Sequence, residues 1–159
     1  MKYAKIIPND FVNGKGISVS IWMQGCPHKC KGCHNPELWD FDSGIEEHDI
    51  DFLNKLESYI KDNDIIRNVS ILGGEPLCEE NIINTAKIIN FVKSNFKESK
   101  IFLWTGYYLN DLPLDEFPYT LLKEVDVIID GLYEEDKRNI SLELRGSTNQ
   151  RVLRKNIDF

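Results

Sequence analysis

The chain has 159 residues and 18.4 kDa, with 42% hydrophobic residues, which is enough for one domain with a buried core and excludes a wholly disordered chain. A complete eight-stranded (β/α) barrel takes about 250 residues, so βα units in this chain have room for about half of one. Nineteen Lys and Arg against 26 Asp and Glu leave a net charge of −7, which argues against a global electrostatic grip on nucleic acid. No apolar run approaches the ~20 residues of a membrane span, and Met1 to Asp10 lack the apolar stretch of a secretory leader. The expectation is a single cytoplasmic domain over residues 1–159.

In chain order, Ile17 to Met23 alternates apolar and polar residues as a strand does. It runs directly into Cys26-Pro27-His28-Lys29-Cys30-Lys31-Gly32-Cys33, a C-x3-C-x2-C segment. From about Glu46 to Lys61, the positions Phe52, Leu53, Leu56 and Ile60 repeat at helical spacing behind an acidic first turn. Val69 to Leu72 reads as a short buried strand ending at Gly73-Gly74-Glu75-Pro76. Glu79 to about Phe96 reads as a second helix, and Ile101 to Trp104 as a strand ending at Thr105-Gly106-Tyr107. A short helix is expected near Tyr119 to Lys123, and a strand over Val125 to Ile129 that ends at Asp130-Gly131. The tail offers short strands near Ile140 to Arg145 and near Val152.

Strands alternating with helices of these lengths imply a mostly parallel α/β sheet. Each unusual segment follows the C-terminal end of a strand, the edge on which parallel α/β folds build their sites. Three of the four cysteines lie within eight residues. In a reducing compartment such clusters point to a metal, a cluster or catalysis before disulfides. A helical stripe of small hydrophobes is opposed by Gly25, Gly32, Lys29 and Lys31. Structural zinc normally shows a second ligand pair, which is missing. An iron–sulfur cluster held by Cys26, Cys30 and Cys33 would leave one iron of a [4Fe–4S] cubane open for chemistry. Cys78 is expected to pack as a small buried residue, and His28 and His34 to lie beside the site rather than ligate.

C-x3-C-x2-C after one strand and Gly-Gly-Glu-Pro after the next resemble the radical S-adenosylmethionine (SAM) superfamily. The likeness extends to Asn13-Gly14-Lys15-Gly16, to Gly25 through Glu37, to Trp104-Thr105-Gly106-Tyr107, to Asp130-Gly131, and to the tail Arg145-Gly146-Ser147-Thr148-Asn149-Gln150-Arg151. Within the superfamily the chain resembles the activating proteins of anaerobic ribonucleoside-triphosphate reductase. The resemblance implies an α/β fold that is an incomplete (βα) barrel with a mostly parallel, curved sheet and its site at the C-terminal strand ends. It implies a [4Fe–4S] cluster on Cys26, Cys30 and Cys33, and SAM as second cofactor. SAM contacts are implied at Gly32, His34, Gly73, Gly74, Glu75 and Pro76, with Glu75 accepting from the SAM ammonium. Thr105 and Asp130 are implied for its ribose or methionine end. Reductive cleavage of SAM would yield methionine and a 5′-deoxyadenosyl radical, which would make a glycyl radical on the catalytic subunit of the reductase. A flavodoxin- or ferredoxin-like donor would supply the electron.

Many superfamily members carry an aromatic residue just before the third cysteine, where this chain has Gly32. Adenine recognition is therefore expected from backbone or from other side chains. The tail has no acid between Arg145 and Ile157, so Arg145, Asn149 and Arg151 are candidates for docking the partner. Three other readings stay open: activation of another glycyl-radical enzyme, radical chemistry on a small molecule, and a non-enzymatic Fe–S or zinc module. A half-open barrel cannot enclose a radical by itself. The missing wall is most simply supplied by a protein substrate.

Overall fold

The computed structural model describes residues 1–159. Two short strands, β1 (Lys2–Tyr3) and β4 (Ile45–Glu46), pair with each other at the margin. The main sheet has six strands in the order β2 (Lys5–Asp10), β3 (Ser18–Met23), β5 (Asn68–Gly73), β6 (Ile101–Trp104), β7 (Val127–Asp130) and β8 (Arg151–Arg154). β3, β5, β6 and β7 are parallel, while β2 and β8 run antiparallel at the two edges. The parallel ends of β3, β5, β6 and β7 therefore all deliver their following loops to one side.

Helices α1 (Asp49–Ile60) and α2 (Ile82–Asn95) form the connections from β3 to β5 and from β5 to β6. α1 buries Phe52, Leu56 and Ile60, one residue per turn, and begins with Asp49 and Asp51 at the positive end of its dipole. α2 buries Ile82, Ala86, Ile89 and Val92, together with Thr85 and Ile88. Phe52, Leu56 and Ile60 of α1 and Ile82, Ile88, Ile89 and Val92 of α2 share one core with Val19, Ile21 and Met23 of β3, Val69 and Ile71 of β5, Ile101 and Leu103 of β6 and Ile128 of β7.

The alternate residues of the same strands face the other way. Ser20, Ser70 and Phe102 form one row across β3, β5 and β6, and Trp22 stands beside Leu72 in the next. The serines are buried, so their hydroxyls need partners. The last residue of β2 and the loop that follows it provide them. Ser70 Oγ donates to the Asn13 carbonyl at 2.6 Å, and Ser20 Oγ donates to Asp10. Asp10 also accepts from the N–H groups of Val12 and Asn13, so its carboxylate fastens this loop over the sheet.

Several elements differ from the sequence expectation. β2 was not anticipated, because Pro8 and the charged residues around it hide the strand pattern; pairing with β3 creates it. Helix α2 begins at Ile82, not Glu79, and residues Tyr119–Glu124 form 3-10 turns in place of a short α-helix. The segment 140–145 is no strand: Ile140 is 87% exposed and Leu144 has φ +64°. No helix is long and apolar enough to cross a membrane.

Candidate functional site

The segment from Cys26 to Glu37 leaves β3 as a closed loop. Gly25 N–H donates to the Leu38 carbonyl at 2.9 Å, and Gln24 Nε2 donates to the Asp40 carbonyl at 2.7 Å, fastening the loop at its base. Inside this loop Cys26 is buried, and Cys30 and Cys33 are half-buried. Asn35 N–H donates to Cys33 Sγ at 3.4 Å, and nearby main-chain N–H groups favour the anionic form of the other two sulfurs, those of His28 and Lys29 at Cys26 and that of Tyr133 at Cys30. Such donors stabilise anionic sulfur and set the potential of a cluster bound there. Without a bound metal, burial pushes the Cys26 and Cys30 thiols up, and the neighbouring Cys33 adds to the effect at Cys30.

The three thiols line one cavity of about 160 Å³ together with Gly73, Gly74 and Glu75. Three thiols on the wall of one cavity are the donor chemistry that a [4Fe–4S] cluster with three protein thiolates needs, and the residues present fit that group. A second cavity of about 320 Å³ adjoins the first and shares Cys30, Cys33 and Gly73 with it. Trp22, Leu72 and Trp104 give it an apolar floor, and Asn13, His34 and Arg145 stand at its polar side. Its volume falls in the lower range of small-molecule sites.

The Gly-Gly-Glu-Pro turn lies against the start of the cysteine loop. Gly74 N–H donates to the Met23 carbonyl at 2.9 Å and Glu75 N–H to the Gly25 carbonyl at 2.8 Å. A Cβ on Gly74 would stand 2.3 Å from the Gly25 carbonyl oxygen, so only glycine permits this approach. Asn81 Nδ2 reinforces it by donating to the Gln24 and Glu75 carbonyls at 2.9 and 3.0 Å. Pro76 is buried, and its carbonyl accepts from Thr85 Oγ1 at 2.7 Å at the start of α2. Glu75 is 1% exposed.

The remaining expected contacts are distributed unevenly. Gly32 is exposed at φ +73°, and the Glu135 carboxylate lies over it where a Cβ would stand. His34 is exposed, with its ring 6.0 Å from that of Tyr133. Thr105 is buried and its hydroxyl donates to Glu75 Oε1 at 2.8 Å. Asp130 has no exposure; it accepts from Arg151 Nε and from Leu109 N–H, both at 2.8 Å. The Arg151 guanidinium also lies over the Tyr108 ring, 5.1 Å from its centroid. Asp130 and Arg151 thus serve each other across β7 and β8 in this structure. Arg145 lines the larger cavity and donates to the Gln150 carbonyl at 2.6 Å, while Asn149 Nδ2 donates to the Leu132 carbonyl. Cys78 is buried, its thiol pushed up to about 12 by burial, and its Sγ donates to the Glu75 carbonyl.

Sequence reasoning missed two groups as site residues, Tyr133 and Gln150, and placed a third, His28, beside the site without its partner. Tyr133 and Gln150 line both cavities. Gln150 accepts from Gly146 N–H at 2.9 Å and donates to the Gly131 carbonyl at 3.0 Å, which ties the tail to the end of β7. His28 reaches across to Glu75 at 2.8 Å. A polar residue inside the cysteine loop was the only signal for it.

Comparison with known proteins agrees with this geometry. Residues 12–153 match a family model described as a 4Fe-4S single cluster domain. An anaerobic ribonucleoside-triphosphate reductase-activating protein from Pasteurella multocida is 36% identical, over 97% of this chain and 98% of its own length. Proteins of the same name from Enterobacteria phage T4 and Escherichia coli K12 are 39% and 32% identical, each over 96% of this chain and over 93% and 97% of their own lengths. With its cysteine cavity and its near full-length similarity to these proteins, the chain belongs to the family of anaerobic ribonucleoside-triphosphate reductase-activating proteins.

Proposed function

We propose that this chain is the iron–sulfur, SAM-dependent activase of an anaerobic ribonucleoside-triphosphate reductase, and that its sheet is an incomplete barrel of the radical SAM type. The observation that carries the reading is the set of three thiols lining one cavity, beside a second cavity with room for a nucleoside. Cys26, Cys30 and Cys33 would hold the [4Fe–4S] cluster, and SAM would lie against Gly73, Gly74 and the apolar floor of Trp22, Leu72 and Trp104. Held there, the cluster would supply the one-electron chemistry that cleaves SAM to methionine and a 5′-deoxyadenosyl radical, for abstraction of a glycine Cα hydrogen of the reductase.

The chain's own residues position and shield. Gly74 lets the turn close on the cysteine loop, and the fastening of that loop at Gly25 and Gln24 keeps the sulfurs at the strand ends. Trp22 and Trp104 exclude water from the floor of the larger cavity. The cavity's open side is left for the partner's glycine segment to cover. The electron is supplied by a low-potential, flavodoxin- or ferredoxin-like donor, and the site of action is the cytoplasm, where thiols stay reduced.

The test is anaerobic reconstitution with iron and sulfide, reduction, and addition of SAM with and without the reductase. The expected results are 5′-deoxyadenosine and a glycyl-radical EPR doublet on the partner. A loaded cluster that never cleaves SAM would leave a binding module and overturn the reading.

A further inference from the structure

A carboxylate offers about four acceptor positions, and those of Glu75 are all used within the chain. Oε1 accepts from Leu77 N–H at 2.9 Å and from Thr105 Oγ1 at 2.8 Å. Oε2 accepts from Gly106 N–H at 2.7 Å and faces His28 Nε2 at 2.8 Å. These donors come from the loops after β3, β5 and β6. None is a loose side chain. Two are main-chain groups, and Thr105 Oγ1 is itself held by accepting from Tyr107 N–H at 3.1 Å. The His28 ring packs edge-on against Tyr107, with centroids 4.6 Å apart, and lies so close to Gly106 that a Cβ there would be 2.6 Å away. His28 sits two residues from both Cys26 and Cys30, so its anchorage fixes where those two sulfurs stand relative to Gly73 and Gly74.

We propose that Glu75 is a positioning residue that acts through His28, pinning the cysteine loop to the Gly-Gly turn, and that it is not the acceptor for the ammonium group of SAM. The proposal rests on the chain being a SAM-dependent cluster enzyme. A ligand ammonium would have to evict one of four well-placed donors from a carboxylate that is 1% exposed. Such eviction leaves a buried N–H or hydroxyl unsatisfied and offsets what the new bond contributes.

The test compares Glu75→Gln, His28→Ala, His28→Gln and the Glu75→Gln/His28→Ala double variant with the parent chain, all reconstituted anaerobically and checked for iron content. Two readouts are needed: the EPR spectrum and reduction potential of the cluster without SAM, and SAM affinity by equilibrium binding. Under the proposal, Glu75→Gln and His28→Ala shift the SAM-free spectrum alike. Each weakens SAM binding about tenfold, the worth of one charge-assisted hydrogen bond. The double variant is no worse than either single one, and His28→Gln, which keeps an N–H donor, recovers most of the loss. The proposal is overturned if Glu75→Gln loses SAM affinity with an unchanged SAM-free spectrum while His28→Ala binds SAM as the parent does. It is equally overturned if the two losses multiply to about a hundredfold. A parent chain that loads its cluster but never binds SAM would instead overturn the reading on which the proposal rests.

Discussion

Arg151→Glu should unfold this protein more readily, and the size of the effect follows from its partner. Asp130 is fully buried and receives two bonds from the Arg151 guanidinium and one from Leu109 N–H. Removing one member of a buried pair costs about 3–5 kcal/mol, because the other charge is left without compensation. The Arg151 side chain is 41% exposed, so water enters the vacated position and lowers that figure. A new carboxylate beside Asp130 raises it again. The balance is about 4 kcal/mol, a large part of the 5–15 kcal/mol that holds a domain of this size together, and about 8–16 °C in Tm. Urea melts of cluster-free protein under reducing conditions read it as a lower midpoint at unchanged slope. Arg145→Glu, which loses only its bond to the Gln150 carbonyl, provides the comparison and should cost about 1 kcal/mol. A midpoint for Arg151→Glu within about 1 kcal/mol of the parent would refute the pairing as the reason for this arginine. Charge reversal at Arg151 is therefore a poor probe of docking; the exposed Arg154 serves better.

Gly74→Ala should lower the iron bound per chain, since its Cβ meets the Gly25 main chain, which cannot rotate away. Full iron and sulfide loading of that variant would contradict the close approach. Cys78→Ala should keep full loading and lose about 1 kcal/mol of stability, its thiol being a neutral donor inside the core; Cys30→Ala should lose the cluster, and iron analysis separates the two. Asp49 is held down to about 2 by Lys87 and then by the Met1 amino group, against about 3.9 when unfolded. A depressed carboxylate stabilises above its unfolded value, and that contribution is lost as pH falls through the folded one. The stability gap between Asp49→Asn and the parent should thus be present at pH 6, shrink below about pH 4 and be lost as pH falls through about 2. With a side chain 36% exposed, it should stay under about 1 kcal/mol. A gap that did not change with pH would remove the ion pair as its source.

The cysteine loop and the Gly-Gly turn were legible because their signals are local, a spacing and a dipeptide. The strand over Ile101–Trp104 was legible for the same reason, as four apolar residues before Thr-Gly. What sequence reasoning could not supply was pairing. The resemblance implied SAM contacts for Thr105 and Asp130, and nothing local shows that they also bond Glu75 and Arg151, 30 and 21 positions away. Ile140, Leu142 and Leu144 alternate as a strand does, yet the segment has no neighbouring strand to join. It is tied to β6 instead, by the bond from Trp104 Nε1 to the Leu144 carbonyl. The parallel core was expected, but the reversed strands at both edges depend on tertiary pairing that no short window reveals.

The bonds to Glu75 also bear on the order in which the molecule assembles. They join positions separated by 47, 30 and 31 residues. Contacts of such range carry a loop-closure cost that is offset only when the strands beneath them are in register. The site is therefore a late product of folding and has no life as a local motif. The Gly106 amide should exchange its hydrogen at the rate of global unfolding, more slowly than its place in a loop suggests. A chain that holds Glu75 bonded has, by that fact, already aligned β3, β5 and β6.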